Sequence, residues 1–166
     1  VSLAGEGDDA QQVNEEPAAG ETYAEFASVT DDTGTLTFDV PAEWADVTNG
    51  DWEFDDAPVG IRIDVSPDLT NFYDDWAIPG AIVSYSESLP EQLSLDELID
   101  AYTLEDSCTE GERSTIEAGE LAGVYQFWDQ CNDTATSSAI VGLAPTETQA
   151  FYVLLQLYGA EARDFN

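Results

Sequence analysis

The stretch AFYVLLQLY, residues 150–158, carries apolar side chains on both of the faces that a β-strand would present. Side chains alternate between the two faces of a strand, so a strand with one solvated face has apolar and polar residues in turn. This stretch does not alternate, which predicts a central strand that is covered on both faces. A helix is the usual cover for the second face in an α+β fold.

Alternating stretches elsewhere in the chain predict antiparallel strands around this one. Residues 35–40 place Leu36, Phe38 and Val40 on one face and follow a turn, so residues 23–29 are predicted to be the other strand of a hairpin. The further predicted strands are residues 61–65, 81–86, 114–118, 122–131, 137–144 and 150–158. The first two of these are expected to be half-buried.

Two helices are predicted between the strands. Ser94 and Glu97 have the spacing of a capping box, and apolar residues recur at helical spacing as far as Tyr102. A shorter helix is predicted with Ser66 as its N-cap, a proline at its first position and an apolar face that extends to Trp76. Together these elements predict an α+β fold in which an antiparallel sheet is flanked by short helices.

The predicted fold occupies residues 23–166 as a single α+β domain, which is long enough to bury a hydrophobic core. Residues 1–22 are rich in small and acidic residues and contain no aromatic residue. That composition is typical of a flexible acidic tail or linker.

The charge of the chain is extreme. It has 36 acidic residues against three basic ones, and its formal net charge is -33. Such a surface repels phosphates and anionic lipids, so we expect no nucleic-acid partner. No apolar run approaches the roughly 18 residues of a membrane span, so we expect no membrane insertion. An acidic, well hydrated surface of this kind is typical of halophilic proteins.

Thermal stability is expected to rise with salt. Carboxylates at this density repel one another, and the screening length falls from about 10 Å at 0.1 M to about 3 Å at 1 M ionic strength. Thermal melts recorded from low to molar NaCl are therefore expected to move upward. A melting temperature that does not change with NaCl would contradict the halophilic interpretation.

The residue types that are missing exclude most catalytic chemistry. Without histidine there is no Ser-His-Asp triad, and without lysine there is no Schiff base and no phosphate-binding loop of the P-loop kind. Glycoside hydrolysis by paired carboxylates is the enzyme class that remains, but 36 carboxylates give that signal little specificity. We therefore assign no catalytic residue, no cofactor and no metal, and expect a protein that is not an enzyme.

A carbohydrate- or calcium-binding module is the alternative from another class. Trp52 lies between two acidic residues in what is predicted to be an exposed loop, and it is the candidate ligand contact. The acidic segment around it, residues 46–56, lacks the ligand spacing of an EF-hand. The other tryptophans, Trp76 and Trp128 among them, are expected to pack in the core.

Cys108 and Cys131 are the only cysteines in the chain. They do not form a CxxC motif, so a structural disulfide is the favoured interpretation, with free buried thiols and metal or redox chemistry as alternatives. Closing a loop of this length would contribute roughly 3.4 kcal/mol in the chain-entropy model. A disulfide indicates an oxidising, extracytoplasmic compartment.

The order of these motifs resembles that of a known group of modules. The motifs are TDDTGTLTFDVPAEW at residues 30–44, SPDLTNFYDDW at residues 66–76, Pro79-Gly80, and the set Cys108, Gly123, Tyr125, Trp128 and Cys131. This arrangement is similar to the extracytoplasmic PsbP/LpqN-like modules of actinobacterial and related bacterial proteins.

The resemblance implies a PsbP-like antiparallel sheet flanked by helices. It also implies a noncatalytic, secreted or surface-tethered interaction or accessory module, located extracellularly or at the cell surface. Its partner would be another protein or the parent polypeptide to which the module is attached. No active-site motif is shared among such modules, so the resemblance assigns no functional residue.

Overall fold

The computed structural model describes residues 23–159. The predicted acidic tail, residues 1–22, and residues 160–166 lie outside the described residues. Within them the strands are β1 (Phe26–Thr30), β2 (Thr37–Pro41), β3 (Asp46–Phe54), β4 (Ala57–Ser66), β5 (Gly80–Ser86), β6 (Thr109–Ala118), β7 (Leu121–Asp129), β8 (Ser137–Pro145) and β9 (Tyr152–Gly159). The α-helices are α1 (Leu69–Phe72) and α2 (Leu95–Ala101), and 3-10 turns span Leu89–Glu91 and Cys131–Asp133.

Seven of the strands form one antiparallel sheet with the order β3-β4-β5-β9-β8-β7-β6. The last strand in the chain, β9, is thus the central strand, and it pairs with β5 on one side and β8 on the other. Its residues Tyr152 to Gln156 are all buried, on both faces. This confirms the prediction of a central strand covered on both faces.

The two faces of the sheet have different covers. One face, which we name the hairpin face, is covered by the β1-β2 hairpin. Leu36, Phe38 and Val40 are buried there against sheet residues that include Val153 and Leu155, which confirms the predicted hairpin and its inward face. The other face, which we name the helix face, is covered by α1, α2 and the segments that follow them.

Helix α2 begins as the sequence predicts. Ser94 is the N-cap, its side chain accepts from the Glu97 amide, and the Glu97 side chain accepts from the Ser94 amide, which completes the capping box. The helix packs closely over Gly142 of β8, where an added Cβ would lie 3.2 Å from a methyl carbon of Leu95. A larger residue at this glycine would push α2 away from the sheet.

Helix α1 is shorter than predicted and begins later. Asp68, not Ser66, is the N-cap, and its side chain accepts from the Asn71 amide. The helix ends at Phe72, so Trp76 lies beyond it in a turn and is half-buried, not in the core. Two acidic residues, Asp74 and Asp75, follow the helix, and negative charge at a helix C-terminus is unfavourable because it opposes the helix dipole.

The segment predicted to be an exposed acidic loop is an edge strand. β3 pairs with β4 along its whole length, and all of its residues except Trp52 and Phe54 are exposed, most of them polar. Trp52 faces inward and is only 2% exposed, so the prediction that it lies in an exposed loop is wrong. Its indole nitrogen donates to the Tyr102 hydroxyl at 2.7 Å. Charged side chains protect an exposed sheet edge from pairing, which explains why this strand resembles a loop in sequence.

Two of the predicted half-buried strands are covered on both faces. Every residue of β5 is buried except Tyr85, which is partly exposed. The C-terminal half of β4 is also buried, including the charged Asp64. The reason is that the helix face carries a cover over these strands as well as over β9.

Cys108 and Cys131 form a disulfide, as predicted. Cys108 follows α2 and Cys131 follows β7, so the bond ties the segment after the helix to the sheet. Cys131 is fully buried in the same cluster as Leu98 and Trp128, and Trp128 is buried as expected.

Candidate ligand-binding cleft

A cleft of about 300 Å³ opens on the helix face. Its floor includes Ile82 of β5 and Tyr158 of β9, and its walls come from the end of α1, the turn after α1 and the segment after α2. The lining residues are Phe72, Tyr73, Asp74, Asp75, Trp76, Ile78, Ile82, Leu104 and Tyr158. Two of these nine residues are acidic and none is basic.

Four aromatic side chains line the cleft, and their rings contact one another in a row. Phe72 lies 5.4 Å from Tyr73 and 5.6 Å from Tyr158, measured between ring centroids, and Trp76 lies 5.8 Å from Tyr158. The rings are steeply inclined to one another, with interplanar angles of 62°, 75° and 60°. They therefore do not form a single flat platform.

The Phe72 ring packs closely against the backbone of Gly80. An added Cβ on Gly80 would lie 2.5 Å from a ring carbon of Phe72, so only glycine lets the ring rest on the start of β5. The sequence predicted an aromatic helix before β5, and residues of that segment line the cleft. The cleft itself was not predicted, because the other lining residues are distant in sequence.

A charged cluster adjoins the aromatic rings. The Arg62 guanidinium donates to both oxygens of Asp64, at 2.6 and 2.7 Å, and the Tyr73 hydroxyl donates to Asp64 at 2.5 Å. The Asp64 side chain is 6% exposed and that of Arg62 is 35% exposed. The ion pair is therefore largely desolvated, and the Asp64 oxygens are occupied by partners from the protein itself.

This cluster changes the acidity of the groups around it. The hydrogen bond from Arg62 to Asp64 raises the pKa of the guanidinium above its ordinary value. The pKa of Tyr73 is raised to about 12, first by desolvation of its hydroxyl and then by the bond to Asp64, although its ring is 55% exposed. Burial raises the pKa of Tyr158 to about 12 as well. Both tyrosines thus stay protonated far above neutral pH.

Stability is expected to fall at alkaline pH because of these two tyrosines. Their pKa values rise from 10.0 in the unfolded chain to about 12 in the fold, so their contribution is complete below pH 10 and is lost between pH 10 and 12. Urea unfolding on both sides of pH 10 measures the effect. In Tyr73→Phe the fall should be smaller, and the change in tyrosinate absorbance near pH 12 should be smaller because only Tyr158 still titrates there. An equally steep fall in that variant would contradict the assignment.

The structure places the residues singled out from the sequence in different parts of the fold. Trp52 lies in the core and takes no part in the cleft, whereas Trp76 lines it. Sequence reasoning missed Arg62 and Asp64, which lie within an otherwise apolar alternating strand. The one signal in the sequence was Arg62 itself, because the chain has only three arginines.

Within residues 23–159 no group of three or more Cys, Asp or Glu side chains is placed so that it would hold a metal ion. No helix in the same part of the chain has the length and apolar character needed to cross a membrane.

Comparison with known proteins gives no assignment. No protein-family model matches this chain, and no curated protein matches it.

Proposed function

We propose that this protein is a noncatalytic binding module, secreted or tethered at the cell surface, that takes up a ligand or a partner's side chain in the cleft of the helix face. The observation that supports this proposal is the cleft itself. Ligand sites are typically concave and mostly apolar, with a few fixed polar groups. The cleft combines four aromatic rings, three aliphatic side chains and a neighbouring ion pair.

The arrangement of carboxylates favours binding over catalysis. Glycoside hydrolysis requires two carboxyl groups on opposite sides of the bond that breaks. Asp74 and Asp75 are adjacent in sequence and exposed, and both oxygens of Asp64 accept hydrogen bonds from Arg62 or Tyr73. These three carboxyl groups therefore do not form a pair in which a general acid faces a general base or nucleophile across a ligand.

An extracellular location is supported by the disulfide and by the sequence resemblance. Disulfides persist in oxidising compartments and are rare in the cytosol. The likeness to PsbP/LpqN-like modules points to the same location and to attachment to a protein partner or parent polypeptide. The cleft would then be the recognition surface of an accessory module.

Carbohydrate binding is the second candidate, and the aromatic and acidic lining is the observation that favours it. Aromatic faces stack on sugar rings, and carboxylates accept bonds from sugar hydroxyls. However, the inclination of the rings leaves no flat platform for a pyranose. We therefore rank carbohydrate below a smaller ligand that needs no flat platform.

Amide NMR of isotope-labelled protein tests the proposed function. A set of small probes, aromatic, cationic and carbohydrate, is titrated while chromogenic glycosides are assayed in parallel. At least one probe is expected to shift the resonances of Tyr73, Trp76 and Ile78 without any turnover. Glycoside turnover would overturn the noncatalytic assignment, and shifts confined to the hairpin face would overturn the assignment of the cleft.

A further inference from the structure

We propose that the cleft binds a small organic cation, a quaternary or methylated ammonium. This inference rests on the proposed function, because it names the ligand class for the same cleft. Three features carry it: the aromatic lining, the sign of the surrounding charge and the apolar remainder of the lining.

The aromatic lining is suited to a cation. The faces of aromatic rings carry partial negative charge, and a cation near a ring centroid is attracted by about 0.5 to 2 kcal/mol depending on its exposure. Phe72, Tyr73, Tyr158 and Trp76 all line the cleft, and each ring is inclined to the ring that it contacts. A lining of several aromatic side chains is a means by which proteins recognise quaternary ammonium groups.

The charge around the cleft has the complementary sign. Asp74 and Asp75 are exposed lining residues, and the chain carries a formal net charge of -33. Arg62 does not reverse this, because its guanidinium is paired with Asp64 at 2.6 and 2.7 Å. A cation is therefore attracted to the opening, whereas the two carboxylates repel an anion.

The rest of the lining distinguishes an organic cation from a metal ion. Ile78, Ile82 and Leu104 offer no oxygen ligands, and a hard metal ion needs at least six of them. Methyl groups on nitrogen make favourable contacts with these same side chains. A volume of about 300 Å³ is sufficient for a ligand of this size.

The test compares choline with its uncharged analogue, in which carbon replaces the quaternary nitrogen, at constant ionic strength set by NaCl. Calorimetry on the full chain is expected to give a dissociation constant on the order of 1 mM for choline, which suits so few atoms. The uncharged analogue is expected to bind at least about tenfold more weakly. Equal affinities, or no binding of choline, would overturn the cation proposal.

Variants locate the site. The double variant Asp74→Asn with Asp75→Asn is expected to weaken choline binding about fivefold to tenfold. The matched control, Glu43→Gln with Glu147→Gln, removes the same charge from exposed positions outside the cleft and should leave affinity unchanged. Equal losses in both variants would mean attraction by the overall charge alone, and would overturn the site.

Trp76→Leu provides a second, independent variant. It keeps an apolar side chain and removes the ring, so choline binding is expected to fall about tenfold while the melting temperature changes little. Unchanged choline affinity in a folded Trp76→Leu protein would also overturn the proposal. If the uncharged analogue binds the cleft as tightly as choline, the cation inference fails while the proposed function stands. If no probe of any class shifts the cleft resonances, both fail.

Discussion

Replacing Trp52 by alanine is expected to lower the free energy of unfolding by about 3–5 kcal/mol, the range found for buried tryptophan. Trp52 is 2% exposed and belongs to the cluster of Leu98, Ile140 and Leu154 on the helix face. The substitution removes that packing and also the hydrogen bond to the Tyr102 hydroxyl at 2.7 Å. Urea unfolding of the variant measures the loss.

Two controls separate packing from the hydrogen bond and from any role in binding. Trp52→Phe keeps most of the ring and removes the donor to Tyr102, so it should cost only about 1–2 kcal/mol. Trp76→Ala removes a half-buried tryptophan and should cost less stability than Trp52→Ala while it weakens ligand binding. A loss below about 1 kcal/mol for Trp52→Ala would show that this side chain is not a core residue.

Reducing the disulfide is expected to lower the free energy of unfolding by about 3.4 kcal/mol, according to the chain-entropy model. The bond joins residues 23 positions apart. It also fixes the segment after α2, which supplies Leu104 to the cleft. Urea unfolding with and without reductant measures the change, and ligand affinity is expected to fall with stability.

The double variant Cys108→Ala with Cys131→Ala is the control for this experiment. It should reproduce the stability of the reduced protein and show no further response to reductant. Thiol labelling of the unfolded, unreduced wild-type chain should detect no free thiol. Two reactive thiols in that chain would contradict the disulfide and would weaken the extracellular assignment.

The parts of the fold that the sequence predicted are those set by local pattern. The capping box of Ser94 and Glu97 provides hydrogen-bond partners for amides at the start of α2. All the residues involved lie close together in the chain, so the sequence alone predicts where the helix begins. The apolar character of residues 150–158 on both faces likewise indicates a strand with two covers, and β9 has them. In both cases neighbouring residues carry the information.

The edge strand and the cleft were not predictable in the same way. Most of the exposed residues of β3 are polar because the edge faces water, and that polarity conceals the strand and its inward Trp52. The cleft combines Phe72, Leu104 and Tyr158, which are far apart in the chain and meet only through the strand order. No local pattern specifies that order, since alternating strands are compatible with many pairings.

The central position of β9 has a consequence for folding during synthesis. β9 is the last strand in the described chain, yet it joins β3-β4-β5 to β8-β7-β6. Before β9 leaves the ribosome, β5 and β8 each have an unpaired edge, and neither half of the sheet is complete. Pairing between distant segments is slow, and unpaired edges promote aggregation. The chain therefore completes its sheet only after translation has passed Gly159.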